Sequence, residues 1–320
     1  MDISSNLLRT FLAVSEHGNF SLAAAALRKS QSNVSTRIAQ LEDQIGLKLF
    51  HRDKRPFRLT ESGATFLQFA REITNKTREV DRRLKDVGSG TAGEVRIGAT
   101  DSIAAYLLPK IIARLLRKHP RIKIYIVTEI ARRLFEYVRE GEIDFALTLP
   151  DNPPRDLLVK PLVEESFCFV ASPKHRLART TIASKAQLRN VAFVAGQRGT
   201  GHDTMVQRVL DRAGIFDYDI AVRISTYEGV KRLLYEGFGL TVLPAFAVRE
   251  EVKEKKLVRI KVKGIDLGTT LFIVKRPNYP STPSVSLVEN FIETSIKRDR
   301  ATSTGNRQVK LKNQSDETLP

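Results

Sequence analysis

The hydrophobic positions of the first sixty residues are spaced as in short amphipathic helices. Spacings of three and four residues are shared by Val34, Ile38, Leu41 and Ile45. They give one apolar face to a helix that begins at Ser30 and ends near Gln44, with Gly46 as its C-terminal stop. Most residues between them are polar, so the pattern predicts a helix with one buried and one exposed face.

Two shorter helices are predicted upstream of this one. Residues 3–16 form the first, because their apolar positions fall on one side of a helix. The alanine-rich run 22–27 forms the second, and the hydroxyl of Ser21 stands where an N-cap is needed. Three short helices in succession predict a small bundle in which the second and third form a helix-turn-helix.

The exposed face of the third helix carries short hydrogen-bonding side chains at its N-terminal end, where a recognition helix enters the major groove of DNA. The candidates for DNA contact on the helices are Ser21, Gln31, Ser32, Asn33, Ser35, Thr36 and Arg37. A mainly cationic segment, residues 51–58, follows, and its candidates for phosphate contact are Arg52, Lys54 and Arg55. A solvated helix face and a solvated loop are the alternatives, but a basic segment directly after three helices favours a DNA-contacting wing.

A long uninterrupted helix is predicted from Glu61 to Val87, capped by Thr60 and about 40 Å long. Its apolar positions repeat every seven residues, and a second series lies between them: Phe66, Ile73, Val80 and Val87, then Ala70, Thr77 and Leu84. A seven-residue repeat is typical of a helix that pairs with a second helix. The alternative is an amphipathic helix that lies on its own domain.

Residues 88–93 hold three glycines and predict a hinge between domains. Beyond the hinge, strand-like runs alternate with helical spacings: strands at 95–100, 122–127, 144–149, 167–171, 191–194, 220–224, 240–243 and 270–274, and helices at 103–118, 131–140, 202–213, 228–235 and 284–298. The alternation implies a mainly parallel sheet covered by helices, in two α/β lobes with a cleft between them. Residues 300–320, polar and of mixed charge, predict a disordered tail.

Several segments of the chain resemble the LysR-type transcriptional regulators. In the N-terminal part they are FLAVSEHGNFSLAAAAL, SQSNVSTRIAQLEDQIGLKLFHR and RLTESG, an ordered signature over some fifty residues. In the C-terminal part GEIDFALT, FCFVASPKHRLA and GFGLTVLPAFAV resemble the effector domains of the family more loosely. The resemblance implies an α+β multidomain protein: a winged helix-turn-helix domain (1–60), a linker and dimerisation helix (61–87), a hinge (88–93) and two lobes similar to periplasmic binding proteins (94–299).

The resemblance also implies how the lobes are built and how the protein assembles. Lobe I would comprise about 94–165 and 266–299, and lobe II about 166–265, with the chain crossing between them near 164–166 and 264–268. Two linker helices would pair to give a homodimer, which would assemble into a homotetramer. The partners implied are double-stranded promoter DNA, a small-molecule effector and, as a further candidate, RNA polymerase.

The family parallel places the effector in the cleft, where strands lead into helices. The candidates there are Thr100, Asp101, Ser102, Thr128, Glu129, Thr148, Arg198, Gly199, Thr200, Gly201 and Thr226. Hydroxyls and backbone N–H groups at such turns can bind anions. The alternatives are helix capping for Asp101 and a surface loop for Arg198, and the acidic Asp101 and Glu129 leave the charge of the effector open.

The charge balance agrees with a polyanionic partner, since 53 Lys and Arg residues stand against 36 Asp and Glu, a net charge of +17. Residues 1–87 hold only 15 basic and 10 acidic side chains, so most of the surplus lies beyond the predicted DNA-binding part. Cys168 is the single cysteine, which excludes an intrachain disulfide. The sequence shows no secretory signal and no apolar run of membrane-spanning length, which predicts a cytoplasmic protein.

Other classes of function fit the sequence less well. The five histidines lack metal-ligand spacing, no nucleophile motif is present, and GQRGTG lacks the lysine of a P-loop, so we expect no metal, no cofactor and no enzyme. A pure solute-binding protein would not need residues 1–87. The alternative to an effector-responsive regulator is an architectural or constitutive DNA-binding protein whose lobes serve only oligomerisation, and a sequence-specific footprint would separate the two.

Overall fold

Three helices form the core of the N-terminal unit, as the spacing of apolar residues predicted. The computed structural model of the chain describes residues 3–51, 57–89, 93–150, 152–189, 191–278 and 281–315. The three helices are α1 (Ser5–His17), α2 (Phe20–Leu27) and α3 (Gln31–Ile45). Side chains that are exposed by 2% or less meet at their centre: Leu8, Phe11, Val34, Ile38 and Leu41. The predicted apolar face of α3 is therefore the face that packs against the other two helices.

Asn19 caps α2, so the N-cap predicted at Ser21 is wrong. The side-chain oxygen of Asn19 accepts hydrogen bonds from the backbone N–H groups of Ser21 (2.8 Å) and Leu22 (3.2 Å). The helix begins earlier than predicted because Phe20 turns into the core, where its ring meets that of Phe57 edge-on with centroids 5.0 Å apart. Ser21 is consequently an exposed residue in the first turn of the helix.

The caps predicted for α3 and for the following long helix, α4 (Glu61–Ser89), are confirmed. The hydroxyl of Ser30 accepts the backbone N–H three residues on at 3.2 Å, and Gly46 ends α3 with a φ of 75°. The hydroxyl of Thr60 accepts the backbone N–H of Gly63 at 3.0 Å, at the start of α4. These short polar contacts satisfy backbone groups that a helix end leaves without partners.

The first half of α4 packs on its own unit. Ala70 is fully buried, Phe66 and Ile73 contact the same core, and the ring of Phe66 meets that of Phe11 edge-on at 5.0 Å. Farther along, Val80 and Leu84 are 56% and 69% exposed. The seven-residue repeat thus has an intramolecular face near Phe66 and exposed apolar positions at Val80 and Leu84, and pairing with a second helix stays a prediction. The side chain of Val87 lies outside the described part of the structure.

The second unit is an α/β domain built around one continuous, mixed sheet. Its strands are β3 (Glu94–Ala99), β4 (Lys123–Thr128), β5 (Phe145–Thr148), β6 (Leu158–Ala171), β7 (Ala192–Ala195), β8 (Asp219–Arg223), β9 (Leu240–Pro244), β10 (Val258–Ile260) and β11 (Gly268–Lys275). Their order is β4-β3-β5-β11-β6-β9-β7-β8, with β10 beside β6. In the N-terminal unit, β1 (Phe50–His51) and β2 (Arg58–Leu59) form a small antiparallel sheet.

Five helices cover this sheet near the positions that alternation predicted: α5 (Leu108–Lys118), α6 (Ala131–Glu140), α8 (Gly201–Arg212), α9 (Tyr227–Tyr235) and α11 (Pro283–Ser315). Two short helices, α7 (Lys185–Arg189) and α10 (Arg249–Lys253), were not predicted. A π-helix, Ile103–Leu107, precedes α5, and Pro109 lies in the first turn of α5. The helix predicted at 103–118 therefore changes from π-helical to α-helical hydrogen bonding just before Pro109. Short 3₁₀ helices occupy Arg176–Arg179 and Ala245–Val248.

The prediction of a mainly parallel sheet is wrong at its centre, where two strands cross between the lobes. β3 pairs in parallel with β4 and β5, and β7 with β8 and β9, but β6 and β11 pair antiparallel with each other and with their neighbours. β6 pairs with β11 through Ser166 and with β9 from Phe167 onward, so the chain changes lobes there and again at Gly268. A strand that serves two lobes cannot follow a simple βαβ pattern.

The last helix runs farther than predicted. Val288, Ile292 and Ile296 anchor it in the core of the second unit, and α11 continues to Ser315 instead of ending at Arg298. The predicted disordered tail therefore differs from the structure over residues 300–315, while 316–320 lie outside the described residues. Extension costs little once a helix is nucleated by packing, and residues 300–304 contain neither Gly nor Pro to stop it.

Candidate DNA-binding helix and effector cavity

The N-terminal end of α3 presents a polar, accessible face. Gln31, Ser32, Asn33 and Thr36 are exposed, and Ser35 and Arg37 are half-buried. Along the opposite face, Val34, Ile38 and Leu41 have no exposed surface, which fixes the helix on its bundle. The predicted DNA-contacting residues of α3 thus share one rigidly supported surface, the arrangement a helix needs to enter a DNA groove. Ser21 is exposed at the start of α2.

A buried carboxylate ties the end of α3 to the strand that follows it. Glu42 is 2% exposed, and its Oε1 accepts the backbone N–H of Leu49 at 2.9 Å. Its Oε2 accepts a hydrogen bond from Nζ of Lys48 at 3.1 Å. Thr60 donates its hydroxyl to the carbonyl of Lys48 at 2.6 Å, so β1 and β2 are held against both α3 and α4. The predicted wing residues Arg52, Lys54 and Arg55 lie outside the described residues.

The second unit contains a cavity of about 330 Å³ between its two lobes. Its walls are formed by Thr100, Asp101, Ser102, Ile130, Ala131, Arg132, Thr148, Leu149, Pro150, Phe167, Gly201, Thr204, Met205, Arg208 and Tyr227. The first nine belong to lobe I, Phe167 lies just after the crossing point, and the last five belong to lobe II. This volume suits a molecule at the small end of what ligand pockets hold.

The cavity brings together five of the predicted effector residues. Thr100, Asp101 and Ser102 line it from the end of β3, Thr148 from the end of β5, and Gly201 from the start of α8. The carboxyl ends of these parallel strands meet at one edge of lobe I, which explains why strand-end residues were correctly placed there.

The remaining predicted residues do not line this cavity. Thr200 and Thr226 are helix N-caps, whose hydroxyls accept the backbone N–H groups of Asp203 (3.3 Å) and Gly229 (3.1 Å). Thr128, Arg198 and Gly199 are exposed, and Glu129 accepts the backbone N–H of Ile130. For Arg198 the surface-loop alternative therefore describes its position. Thr200 does not line the cavity because its hydroxyl also donates to the carbonyl of Gln197 at 2.7 Å, which directs it back into the loop.

One face of α8 supplies three lobe II residues that the sequence analysis missed: Thr204, Met205 and Arg208. Together with the predicted Gly201 they line the cavity at helical intervals. Nη1 of Arg208 lies 3.2 Å from the carbonyl oxygen of Leu149, and its guanidinium lies over the ring of Phe167, 5.0 Å from the centroid. Their helical spacing could have identified these residues from the sequence. Residues three and four apart share one face of a helix, and this face of α8 begins at the turn that was predicted to bind the effector.

The polar groups at the cavity wall are strongly influenced by burial. Burial raises the pKa of Asp101, and the neighbouring charge of Glu129 raises it further. Burial also raises the pKa of Tyr227, although a hydrogen bond with Ser102 opposes this effect. The Ser102–Tyr227 contact joins lobe I to lobe II. The fully buried hydroxyl oxygen of Thr148 has no hydrogen-bond partner in the structure.

A buried histidine packs against Tyr227, which lines the cavity. The ring of His202 stacks on that of Tyr227 with centroids 4.9 Å apart, and its Nε2 lies 3.1 Å from the hydroxyl of Thr241. Burial lowers the pKa of His202 to about 4, so its ring is neutral at physiological pH. A neutral imidazole keeps this wall uncharged.

The described residues include no group of three or more His, Cys, Asp or Glu side chains placed to hold a metal ion. Cys168 is buried, and burial raises the pKa of its thiol to about 11. Within the same described ranges, no helix is both long and apolar enough to cross a bilayer.

Comparison with known families gives two matches that together cover most of the chain. Residues 5–64 match the bacterial regulatory helix-turn-helix protein of the lysR family, and residues 88–297 match the LysR substrate binding domain. The HTH-type transcriptional regulator YwqM of Bacillus subtilis is 31% identical over 77% of this chain and 83% of its own length. The RuBisCO operon transcriptional regulator of Allochromatium vinosum is 28% identical over 91% of this chain and 96% of its own length.

Solved structures show the same fold over nearly the whole chain. Full-length CbnR in complex with its target DNA has a TM-score of 0.66 at 19% identity, covering 92% of this chain and all of that one. Full-length OxyR from Pseudomonas aeruginosa has a TM-score of 0.63 at 23% identity, covering 91% of this chain and 95% of that one. With both domain families matched in order, the chain belongs to the LysR family and is a LysR-type transcriptional regulator with a helix-turn-helix domain and a substrate-binding domain.

Proposed function

We propose that this regulator reads operator DNA with the N-terminal face of α3 and responds to a small acid bound between the lobes. The observation that carries the first part is the exposure of Gln31, Ser32, Asn33 and Thr36 on a helix whose other face is fully buried. Side chains of this kind can pair with base edges, while Arg52, Lys54 and Arg55 are suited to phosphates.

The class of effector follows from the cavity wall. Three helices begin with a residue that lines it: Ala131, Gly201 and Tyr227. Helix N-termini present backbone N–H groups and the positive end of the helix dipole, and Arg132 and Arg208 add two cations. These groups together favour an anionic ligand, and Asp101 is the opposing carboxylate in the same wall.

The body of the effector is apolar in this proposal. Ile130, Leu149, Phe167 and Met205 contribute apolar surface to the same wall, opposite or beside the polar groups. The hydroxyl of Thr148, which lacks a partner, and that of Ser102 are available to orient a carboxylate. A small aromatic or branched carboxylic acid satisfies both kinds of surface within about 330 Å³.

Assembly into a homodimer, and from it a homotetramer, is part of the proposal. The exposed Val80 and Leu84 of α4 support pairing of two such helices, since apolar side chains at this spacing form a seam. We further propose that the protein acts in the cytoplasm, without catalytic activity, and that effector-dependent closure of the lobes alters DNA bending and contact with RNA polymerase.

The DNA-reading part is tested with two glutamines on the same helix. Gln31→Ala removes a predicted base contact, whereas Gln44→Ala changes an exposed glutamine at the far end of α3. We expect Gln31→Ala to weaken binding to the operator by about 1–3 kcal/mol and to leave binding to random DNA nearly unchanged. Gln44→Ala should match the unmodified protein on both. An equal loss on operator and random DNA would show that Gln31 contacts only phosphate.

The effector part is tested by thermal unfolding of the full chain with small carboxylates, their amides and the corresponding amines. A carboxylate at 100 times its dissociation constant should stabilise the protein by about 2.7 kcal/mol. Thr148→Val should weaken this response, and Thr128→Val, an exposed threonine outside the cavity, should leave it intact. Stabilisation by amides or amines alone would refute the acidic class, and an unchanged DNA footprint under saturating acid would refute the coupling.

A further inference from the structure

A second cavity, of about 250 Å³, lies beside the strands that cross between the lobes. It shares no lining residue with the effector cavity. Its walls come from β6 (Glu165), β11 (Leu271), the π-helix, the Ala245–Val248 segment with α10, and α11. At about 30 Å³ for each water molecule, the volume corresponds to roughly eight waters, enough for a ligand of eight to ten non-hydrogen atoms. We call it the hinge pocket.

The hinge pocket contains a buried carboxylate with one unsatisfied oxygen. The side chain of Glu165 is 7% exposed, and its Oε1 accepts a hydrogen bond from Nη1 of Arg300 at 3.2 Å. Its Oε2 is buried and has no hydrogen-bond partner in the structure. Burial raises the pKa of Glu165, while Arg300 and the backbone N–H of Ser166 oppose the effect. A buried carboxylate oxygen without a donor is costly, so this atom is a place for a donor that a ligand brings.

The other carboxylates of the hinge pocket differ from Glu165. Glu251 is paired with the buried Lys231, and Asp299 is paired with Arg114 at 3.0 Å. Glu250 is exposed to solvent, which can hydrate it. Glu165 therefore combines deep burial with an oxygen that accepts no hydrogen bond, and the pocket has one defined position for a ligand cation.

Two further features define the rest of a ligand. Lys110 and Arg249 are exposed cations in the wall of the hinge pocket, suited to a carboxylate at its mouth. Leu271, which is 1% exposed, and Ile296, which is 4% exposed, form an apolar wall together with Leu107 and Phe246. A molecule that fits all three has an ammonium group, a carboxylate and a small apolar body.

We propose that the hinge pocket binds an apolar α-amino acid. Its ammonium group donates to Oε2 of Glu165, its carboxylate lies near Lys110 and Arg249, and its side chain contacts Leu271 and Ile296. Such a ligand touches both crossing strands and parts of both lobes. Because Nζ of Lys231 in lobe II lies 3.8 Å from the ring centroid of Tyr106 in lobe I, and Tyr106 lines the pocket, occupancy would act on a contact that joins the lobes.

Isothermal titration calorimetry of the full chain tests this proposal without DNA or effector. The probes are L-leucine and L-valine, with 4-methylpentanoate as the leucine analogue that lacks the ammonium and 3-methylbutylamine as the one that lacks the carboxylate. We expect saturable binding of at least one amino acid. Because a branched acid also belongs to the proposed effector class, binding at the hinge pocket is identified as the part that Glu165→Gln weakens. At that site the affinity of both analogues should be lower by about tenfold or more, since each loses a charge-assisted contact.

Variants assign the site within the same measurement. Glu165→Gln, which preserves shape, and Lys110→Ala, which alters an exposed residue, should each weaken amino-acid binding by about tenfold or more. Glu136→Gln, at a surface ion pair with Arg133, should leave it unchanged. Circular dichroism checks that each variant is folded. The proposal is overturned if neither amino acid binds, if the deaminated acid binds equally well at the site that Glu165→Gln weakens, or if Glu165→Gln and Lys110→Ala retain full affinity for the amino acid.

Discussion

Replacing Gly63 by alanine should destabilise the DNA-binding unit through one steric contact. Gly63 lies in the first turn of α4, and a Cβ added there would stand 2.1 Å from the backbone carbonyl oxygen of Leu49 and 3.1 Å from Cδ2 of Leu59. To reach a separation of 3.0 Å, the oxygen and the helix would have to part by about 0.9 Å. The relevant atom belongs to the backbone of a fully buried residue, so rotation of a side chain cannot relieve the contact.

The magnitude follows from what such a shift would disturb. The carbonyl of Leu49 accepts the backbone N–H of Thr60 at 3.0 Å, and its N–H is held by the buried Glu42 at 2.9 Å. Overpacking of this kind costs about 1–3 kcal/mol, and a weakened buried hydrogen bond adds about 1 kcal/mol. The higher helix propensity of alanine returns about 1 kcal/mol. We therefore expect a net loss of about 1–3 kcal/mol, confined to the N-terminal unit.

Hydrogen exchange of backbone amides in the full chain measures this local effect. Protection should fall by about 5- to 150-fold in α3, β1 and the start of α4, and remain unchanged in the sheet of the second unit. Ala64→Gly, the reverse exchange at the exposed neighbouring position, is the matched control, because it changes helix propensity by about 1 kcal/mol without any steric contact. Equal or higher protection in Gly63→Ala would refute the steric argument.

Three further outcomes follow from buried groups elsewhere. Ile38→Ala should lower the stability of the N-terminal unit by about 2–5 kcal/mol and reduce DNA affinity, whereas Leu22→Ala, at a side chain 57% exposed, should change stability by less than about 0.5 kcal/mol, as hydrogen exchange would show. The thiol of Cys168, with its pKa raised to about 11, should react with a thiol reagent at pH 8 only after unfolding, and rapid labelling of the native protein would contradict its burial. Since the pKa of His202 is lowered from 6.5 to about 4, the unfolded chain binds the extra proton between these values, and stability present above pH 6.5 should fall by about 3 kcal/mol as the pH drops to about 4. In His202→Gln, the free energy of unfolding measured by chemical denaturation should depend less on pH across this range, because the titrating imidazole is gone.

The helices of the DNA-binding unit were predictable because their apolar spacing is local. Val34, Ile38 and Leu41 repeat at helical intervals, and the structure buries all three completely. The start of α2 was less certain since both Asn19 and Ser21 are competent caps. The packing of Phe20 decided between them, because the ring must belong to the helix to reach the core.

The seven-residue repeat of α4 shows a limit of spacing arguments. Spacing tells which residues share a face but not which surface covers that face. Phe66 and Ala70 contact their own unit, whereas Val80 and Leu84 continue the same repeat and are exposed. Two parts of one continuous pattern therefore lie in different environments, and only the three-dimensional position of the helix start separates them.

The first half of β6 was missed for a related reason. Residues 158–166 contain Pro161, and charged residues are interspersed among their apolar residues. Both features are untypical of a central strand. The register between β6 and β11 shifts between Leu271 and Phe272, and Phe272 pairs with Pro161, so the irregularity accommodates the missing N–H donor. A strand that crosses between two lobes is also partly exposed, and this weakens the apolar alternation on which strand prediction depends.

The two walls of the effector cavity differ in how sequence encodes them. In lobe I the cavity-lining residues Thr100, Ser102 and Thr148 lie at or just after the end of a strand, so they are found by locating strand ends. In lobe II the wall is a face of α8, and the residues at its N-terminal turn are used as caps instead. A capping hydroxyl and a cavity-lining hydroxyl can have similar sequence signatures, since both can stand where a strand or loop ends. What separates them is whether the hydroxyl already has backbone partners: Thr200 has two, and Thr148 has none. Unsatisfied hydrogen-bonding capacity in a buried position is thus the more discriminating mark of a binding residue, and it is a property that only the folded chain reveals.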